Sequence, residues 1–247
     1  MKTKQERYVA LVGQVREYFK NAYSQKNSIQ LQWCDECKEI NLWTYWQGSL
    51  DAKILLVGQD WGCPTDPSAE NVIANIRSIN NGADVPYMRC NDSKTNINLR
   101  ILFRELNYDI NTKEKDLFFT NFILGYRQKG FSGGSLNEWK AVSETFFHEL
   151  VDIIRPEIII CLGKFTFIGV LAALGKRKSI GNYNCFIESD ENPISLKLRD
   201  GKLVKIYGVA HCGTMGTLNR NNKSSCESLE IQKEDWRRIL KDISWRC

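Results

Sequence analysis

The chain has 247 residues, 43% of them apolar and 26% charged, which is enough to bury a core in one or two domains. Its 34 Lys and Arg against 29 Asp and Glu give a net charge of +5, which permits a polyanionic partner without requiring one. No apolar run approaches the length of a membrane-spanning helix, and the absence of low-complexity tracts argues against a long disordered linker.

Short apolar strands alternate with amphipathic helices along the chain. Residues 4–24 form the first predicted helix, because apolar side chains recur there every three or four residues. Residues 53–58 form the strongest strand, in which residues 54–57 are all apolar, as expected when both faces are buried. The pattern then predicts, in chain order, helix 98–107, strand 116–122, helix 136–154, strand 157–162, helix 165–174, a weak β excursion at 182–199, strand 202–210 and helix 228–243.

This alternation predicts an α/β fold. We expect three layers, α/β/α, around a central, mostly parallel four-stranded sheet, in a single domain covering residues 1–247. Residues 80–96 are rich in Asn, Gly, Asp and Ser and predict a long irregular loop. Loops of that length inside a compact domain are often functional.

Three of the predicted strands end in a polar side chain: Asp60, Asn121 and His211. Each has a structural explanation when taken alone, because Asp and Asn are common turn formers and a single His is often a hydrogen-bonded structural residue. However, the carboxyl ends of neighbouring parallel strands lie at one edge of a sheet, where ligands bind in such folds. We therefore expect the three side chains to meet in one pocket.

The nine Cys include one C-x-x-C pair, Cys34 and Cys37, which is half of a metal site. Cys63 and Cys90 could complete it, or the pair could be two free thiols packed among aromatic side chains. The first residues show no charged start followed by the apolar stretch of a signal peptide. We therefore expect a cytoplasmic protein with mostly reduced thiols.

The order of these motifs resembles the uracil-DNA glycosylase superfamily over residues 34–220. Residues 57–62, V-G-Q-D-W-G, resemble the V-G-Q-D-P-Y water-activating motif of the widespread bacterial and viral enzymes. Residues 118–130 resemble their L-L-L-N-x-x-L-T-V-R-x-G segment, and residues 211–220 occupy the place of the H-P-S-x-L-x-x-x-R DNA-intercalation loop. The C-x-x-C pair and the V-P-Y at 85–87 are similar to features of the superfamily's iron–sulfur branch.

The resemblance implies a DNA glycosylase of base excision repair, with the superfamily's fold. Such an enzyme hydrolyses the N-glycosidic bond of uracil, or of a related damaged pyrimidine, after the nucleotide has flipped out of DNA. Asp60 would orient the attacking water and His211 would stabilise the departing base. The implied base-binding residues are Gly58, Gln59, Tyr87 and Asn121, and the implied DNA contacts are Arg127, Met215, Leu218 and Arg220.

The motifs also depart from the family pattern. Trp61 replaces a Pro, Gly213 replaces the Ser of H-P-S, and Tyr126 stands where the iron–sulfur branch has its third Cys. We therefore expect no required cofactor, with Cys34 and Cys37 either a remnant of a zinc or iron–sulfur site or ligands of another metal.

The departures leave an alternative function: a catalytically inactive glycosylase-fold protein that binds DNA or a protein partner. A nucleotide-binding α/β protein ranks lower, because the turn at 58–62 has neither a Walker lysine nor G-x-G-x-x-G spacing. In the preferred hypothesis the protein is a monomer whose partner is damaged DNA, with no membrane association.

Overall fold

The computed structural model describes residues 2–25, 31–32, 48–62, 93–111, 115–123, 126–127 and 137–243. The helices in this part of the chain are α1 (Lys4–Gln25), α2 (Lys94–Arg104), α3 (Asn137–Ile154), α4 (Lys164–Ala173), α5 (Tyr183–Glu188), α6 (Thr214–Arg220) and α7 (Glu230–Leu240). The strands are β1 (Leu31–Gln32), β2 (Ile54–Gly58), β3 (Trp61–Gly62), β4 (Leu117–Asn121), β5 (Tyr126–Arg127), β6 (Ile158–Leu162), β7 (Ile194–Lys197) and β8 (Leu203–Val209).

The main sheet has five strands in the order β4-β2-β6-β8-β7. The first four are parallel, which confirms the mostly parallel α/β sheet expected from the sequence. Gly58 at the end of β2 lies opposite Asn121 at the end of β4, and Leu162 at the end of β6 lies opposite Val209 at the end of β8. The carboxyl ends of all four parallel strands therefore form one edge.

The four-strand count was wrong, because β7 adds a fifth, antiparallel edge strand beside β8. Within the predicted β excursion, residues 183–188 instead form helix α5, which Asn182 caps by accepting hydrogen bonds from the backbone of the first turn. This helix contains the β-favouring side chains of Tyr183, Phe186 and Ile187, which explains the weak strand signal. Packing decides the helix: Phe186 lies 5.0 Å from Phe167 of α4, measured between ring centroids.

Helices cover both faces of the sheet, because successive residues of a strand point to opposite faces. Leu55 and Val57 of β2 belong to one core, which α1, α3 and α4 complete. Ile54 and Leu56 belong to a second core on the other face, which α2 and α7 complete. This is the expected three-layer arrangement. No described helix is both long and apolar enough to cross a membrane.

A second, small sheet continues from the carboxyl edge. Its order is β1-β5-β3, with β3 parallel to β5 and β1 antiparallel to it. Between the two sheets, the amides of Phe122 and Ile123 donate to the carbonyls of Gly58 and Gln59, both at 2.9 Å. The segments that leave β2 and β4 therefore stay side by side beyond the main sheet.

Candidate functional site

The first corner of the site is the pair Gly58 and Asn121. The two residues lie opposite each other in the register of β2 and β4. A Cβ atom placed on Gly58 would collide with the side-chain oxygen of Asn121, so the amide lies directly against the backbone of β2. A side chain at position 58 would displace the Asn121 amide, which gives a structural reason for Gly58.

Asp60 follows two residues after Gly58, in the turn between β2 and β3. The side-chain nitrogen of Gln59 donates a hydrogen bond of 2.9 Å to Asp60 Oδ1. The Asp60 carboxylate also acts on His211, since it raises the pKa of that imidazole. The structure therefore brings the acid and the imidazole within electrostatic reach of each other, although 151 positions separate them in the sequence.

His211 lies two residues after the end of β8, and its imidazole is the second ionisable group of the site. Burial lowers the pKa of its imidazole from 6.5, and the nearby Asp60 opposes that shift only in part. The backbone N–H of Gly213 donates to His211 Nδ1 at 3.0 Å. Because Nδ1 accepts this bond, the single proton of the neutral ring resides on Nε2. The Nε2–H can then donate a hydrogen bond to an acceptor atom of a ligand.

The loop that carries His211 is held by three helices. Gln232 of α7 donates to the His211 carbonyl at 3.2 Å. The next carbonyl, that of Cys212, accepts from the side chains of Asn98 of α2 at 2.6 Å and Thr217 of α6 at 3.5 Å. These buried polar side chains determine the path of the backbone around the imidazole.

Gly213 stands where the resembling family has Ser, and the packing explains the change. A Cβ at this position would lie 2.9 Å from Thr95 Oγ1 and 3.0 Å from His211 Cε1. The space that a serine side chain would need is thus occupied, while the Gly213 backbone N–H serves as the hydrogen-bond partner of the imidazole.

Helix α6 begins directly after this loop and carries the two residues predicted to enter DNA. Met215 is 66% exposed, and Leu218 is partly buried. The neighbouring Gly216 lies so close to His211 that a Cβ there would collide with the His211 carbonyl. Met215 therefore projects into solvent one residue away from a direct contact with the site.

Arg220, predicted to contact DNA, is at the end of the same helix, and its side chain is buried in an ion pair. Its side chain is 3% exposed and forms two hydrogen bonds with the Asp235 carboxylate, at 2.7 and 2.8 Å. A third, of 2.8 Å, joins it to Glu188. A guanidinium engaged in this way stabilises the packing of α5, α6 and α7, so we correct its assignment from a DNA contact to a structural ion pair.

Several predicted site residues cannot be compared with this geometry. Cys34, Cys37 and Tyr87 lie outside the described residues, so the metal-site and base-stacking predictions stay predictions. For Arg127 the structure gives the backbone, in β5, and not the side chain.

One group of metal-ligand types does occur among the described residues: His148, Glu149 and Asp152 on α3. Sequence reasoning did not single it out, although the i, i+4 spacing of His148 and Asp152 was visible. Arg199 already contacts Glu149 at 3.3 Å and Asp152 at 3.0 Å. A cation would have to compete with this guanidinium, so the cluster is better described as an ion-pair network.

Sequence reasoning also missed the side chains that hold the His211 loop. Asn98, Thr217 and Gln232 are buried polar residues, and the helices of Asn98 and Gln232 also bury apolar side chains. A polar residue within the apolar stripe of a predicted helix was the available signal, since buried polar groups need partners.

No protein-family model and no curated protein matches this chain. The functional argument therefore depends on the motifs and on the geometry of the site. The described residues bring a carboxylate, an imidazole and a side-chain amide to one edge of a parallel sheet, the edge at which α/β folds bind ligands.

Proposed function

We propose that the protein hydrolyses the N-glycosidic bond of uracil, or of a related damaged pyrimidine, flipped out of DNA. The observation that carries this proposal is the hydrogen bond that the Gly213 N–H donates to His211 Nδ1, in an imidazole on which the Asp60 carboxylate acts and whose pKa burial lowers. Cleavage of this bond leaves positive charge on the sugar and negative charge on the base. The pair offers one group for each charge.

Asp60 acts on the sugar side. Its carboxylate stabilises the oxocarbenium-like transition state and orients the attacking water. The hydrogen bond from Gln59 leaves further lone pairs of the carboxylate for a water or a sugar.

His211 acts on the base side. A neutral N–H donor strengthens its hydrogen bond to pyrimidine O2 as negative charge develops there, which favours the transition state over the ground state. The ring needs no change of protonation to do so at neutral pH, because its pKa is lowered.

Asn121 identifies the base. An amide both donates and accepts, so it pairs with O4 and N3–H of uracil, whereas cytosine presents an amino group and an unprotonated nitrogen at those positions. The close contact with Gly58 supports this role, because it puts the Asn121 amide at the carboxyl end of β2, two residues before Asp60.

The DNA is held on the same side of the molecule. Met215, exposed at the start of α6, fills the space that the flipped base leaves in the stack. The net charge of +5 favours approach to a polyanion.

The alternative, a glycosylase-fold protein that binds without cleaving, was suggested by Trp61 and Gly213. The replacement of Ser by Gly213 gives little support to an inactive protein, because the Gly213 backbone N–H supplies the contact to the imidazole. The side chain of Trp61 is outside what the structure describes.

The experiment is to incubate the purified protein with single- and double-stranded oligonucleotides that contain one uracil, and to detect abasic sites by alkaline cleavage. Matched oligonucleotides with thymine or cytosine at the same position are the substrate controls. We expect cleavage at uracil alone. Binding without cleavage would favour the alternative. If the protein neither binds nor cleaves the oligonucleotides, both the glycosylase and the DNA-binding alternative are excluded.

A further inference from the structure

The peptide group between Cys212 and Gly213 is engaged at both of its polar ends. Its carbonyl accepts a hydrogen bond of 2.6 Å from Asn98 Nδ2. Its N–H donates the 3.0 Å bond to His211 Nδ1. A trans peptide is planar, with the carbonyl and the N–H pointing in opposite directions, so fixing one end fixes the other.

The Asn98 end of this arrangement is buried. Asn98 is 1% exposed and Cys212 is fully buried. A short hydrogen bond in such surroundings resists rotation of the peptide, because a turned carbonyl would lose its partner without gaining water. Thr217 adds a longer bond to the same carbonyl, and Gln232 holds the carbonyl before it.

We propose that Asn98 is a positioning residue for His211. By holding the Cys212 carbonyl, it aims the Gly213 N–H at Nδ1 and thereby keeps the imidazole proton on Nε2. Asn98 touches neither the imidazole nor the place of a substrate; it acts through one peptide plane. The use of the Nε2 proton in catalysis rests on the proposed function, but the control of the tautomer does not.

Among the described residues, the Asp60 carboxylate is a charged group that acts on the His211 imidazole. The adjacent Cys212 thiol stays neutral, because burial raises its pKa to about 12. A change in the His211 tautomer after substitution of Asn98 therefore reports on the peptide between them.

The chain has two histidines, so the test uses nitrogen-15 NMR of the imidazoles. His148 is on α3, and His148→Gln leaves His211 as the single histidine signal. In that background we compare Asn98→Leu, which removes the donor at similar volume, with the control Leu99→Ala, which perturbs the same helix and keeps the Asn98 donor to the Cys212 carbonyl. Asn98→Ala is the second variant, in case the leucine is not accommodated.

In the background protein we expect an Nε2–H imidazole with a pKa below 6.5. Both Asn98 variants should populate the Nδ1–H tautomer and raise the His211 pKa, since a bond that favours the neutral ring is lost. Leu99→Ala should lower the melting temperature and leave the tautomer and the pKa of His211 unchanged. Excision by the Asn98 variants should fall about 5- to 10-fold in kcat, the effect of roughly one hydrogen bond.

A folded Asn98 variant that keeps the background tautomer and pKa would overturn the inference. So would Leu99→Ala if it moved the His211 signals as far as the Asn98 variants do. If the wild-type protein cleaves no uracil, the proposed function fails, whereas the NMR comparison still decides the role of Asn98.

Discussion

The turn after β2 carries Asp60 and the turn after β8 carries His211, and the two turns are held in different ways. The β2 turn is fixed by its own strand neighbours, through backbone bonds from Phe122 and Ile123 and the contact between Gln59 and Asp60. The β8 turn is fixed by side chains of three helices, which bind the carbonyls of His211 and Cys212.

This difference has a chemical consequence. The carboxylate follows the end of a regular parallel ladder, whose bonds join backbone to backbone. The imidazole is placed by buried polar contacts, each of which is costly to break because the partner is left unsatisfied. Catalysis should therefore depend on the β2 turn through Asp60 itself, and on the β8 turn through both His211 and its supports.

The largest expected effect is at the β2 turn. Asp60→Asn should reduce uracil excision by roughly 10²- to 10⁴-fold, the range for loss of a catalytic acid or base, while the melting temperature stays close to that of the wild type. Single-turnover cleavage of a uracil oligonucleotide measures the rate. The exposed Asp51, paired with Lys4, provides the control, and Asp51→Asn should cleave normally. Equal rates in all three proteins would remove Asp60 from the mechanism.

At the β8 turn, His211→Asn should lower excision by roughly 10²- to 10³-fold, as removal of one donor to a developing negative charge does. The wild-type rate should also fall in acid, at a pH below 6.5, because burial lowers the pKa and keeps the ring neutral further into acid. The asparagine variant should lack that acid limb. A wild-type profile whose rate rises as His211 gains a proton would show that the imidazolium is the active form.

Arg220 tests stability instead of catalysis. Arg220→Met leaves Asp235 as an uncompensated buried charge, so the free energy of unfolding should fall by about 3–5 kcal/mol in urea titrations. Lys94→Met breaks an ion pair to Glu227, a side chain that is 77% exposed, and should cost about 1 kcal/mol or less. A stable Arg220→Met protein with a weaker salt dependence of DNA binding would restore Arg220 as a phosphate contact.

The smallest effect is expected at Met215. Met215→Ala should reduce excision from double-stranded DNA by about tenfold, because the flipped state loses the side chain that fills the stack. Excision from single-stranded DNA should change little, since no stack has to be filled there. A loss of the same size on both substrates would mean that Met215 supports the His211 loop.

The strand pattern of the sequence was a reliable guide to the sheet. Apolar runs at β2, β4, β6 and β8 can be buried on both faces only between helical layers, so the parallel sheet followed from them. The sequence pattern predicted one β excursion over residues 182–199 and did not distinguish helix α5 from the edge strand β7. An edge strand is half exposed, and a short helix depends on its packing partners, so neither leaves a strong local pattern. Arg220 was misplaced because a basic residue at a motif position does not reveal whether a carboxylate lies beside it.

For the site, the sequence by itself determined which side chains end the strands: Asp60 after β2, Asn121 in β4 and His211 after β8. These follow from local hydrophobic pattern and glycine placement, which neighbouring residues fix. The burial that lowers the pKa of His211 and the engagement of the Cys212 carbonyl were decided by tertiary structure. Asn98 and Gln232 bond the carbonyls of Cys212 and His211, and these residues, distant in the chain, approach the loop only when the helices pack on the sheet.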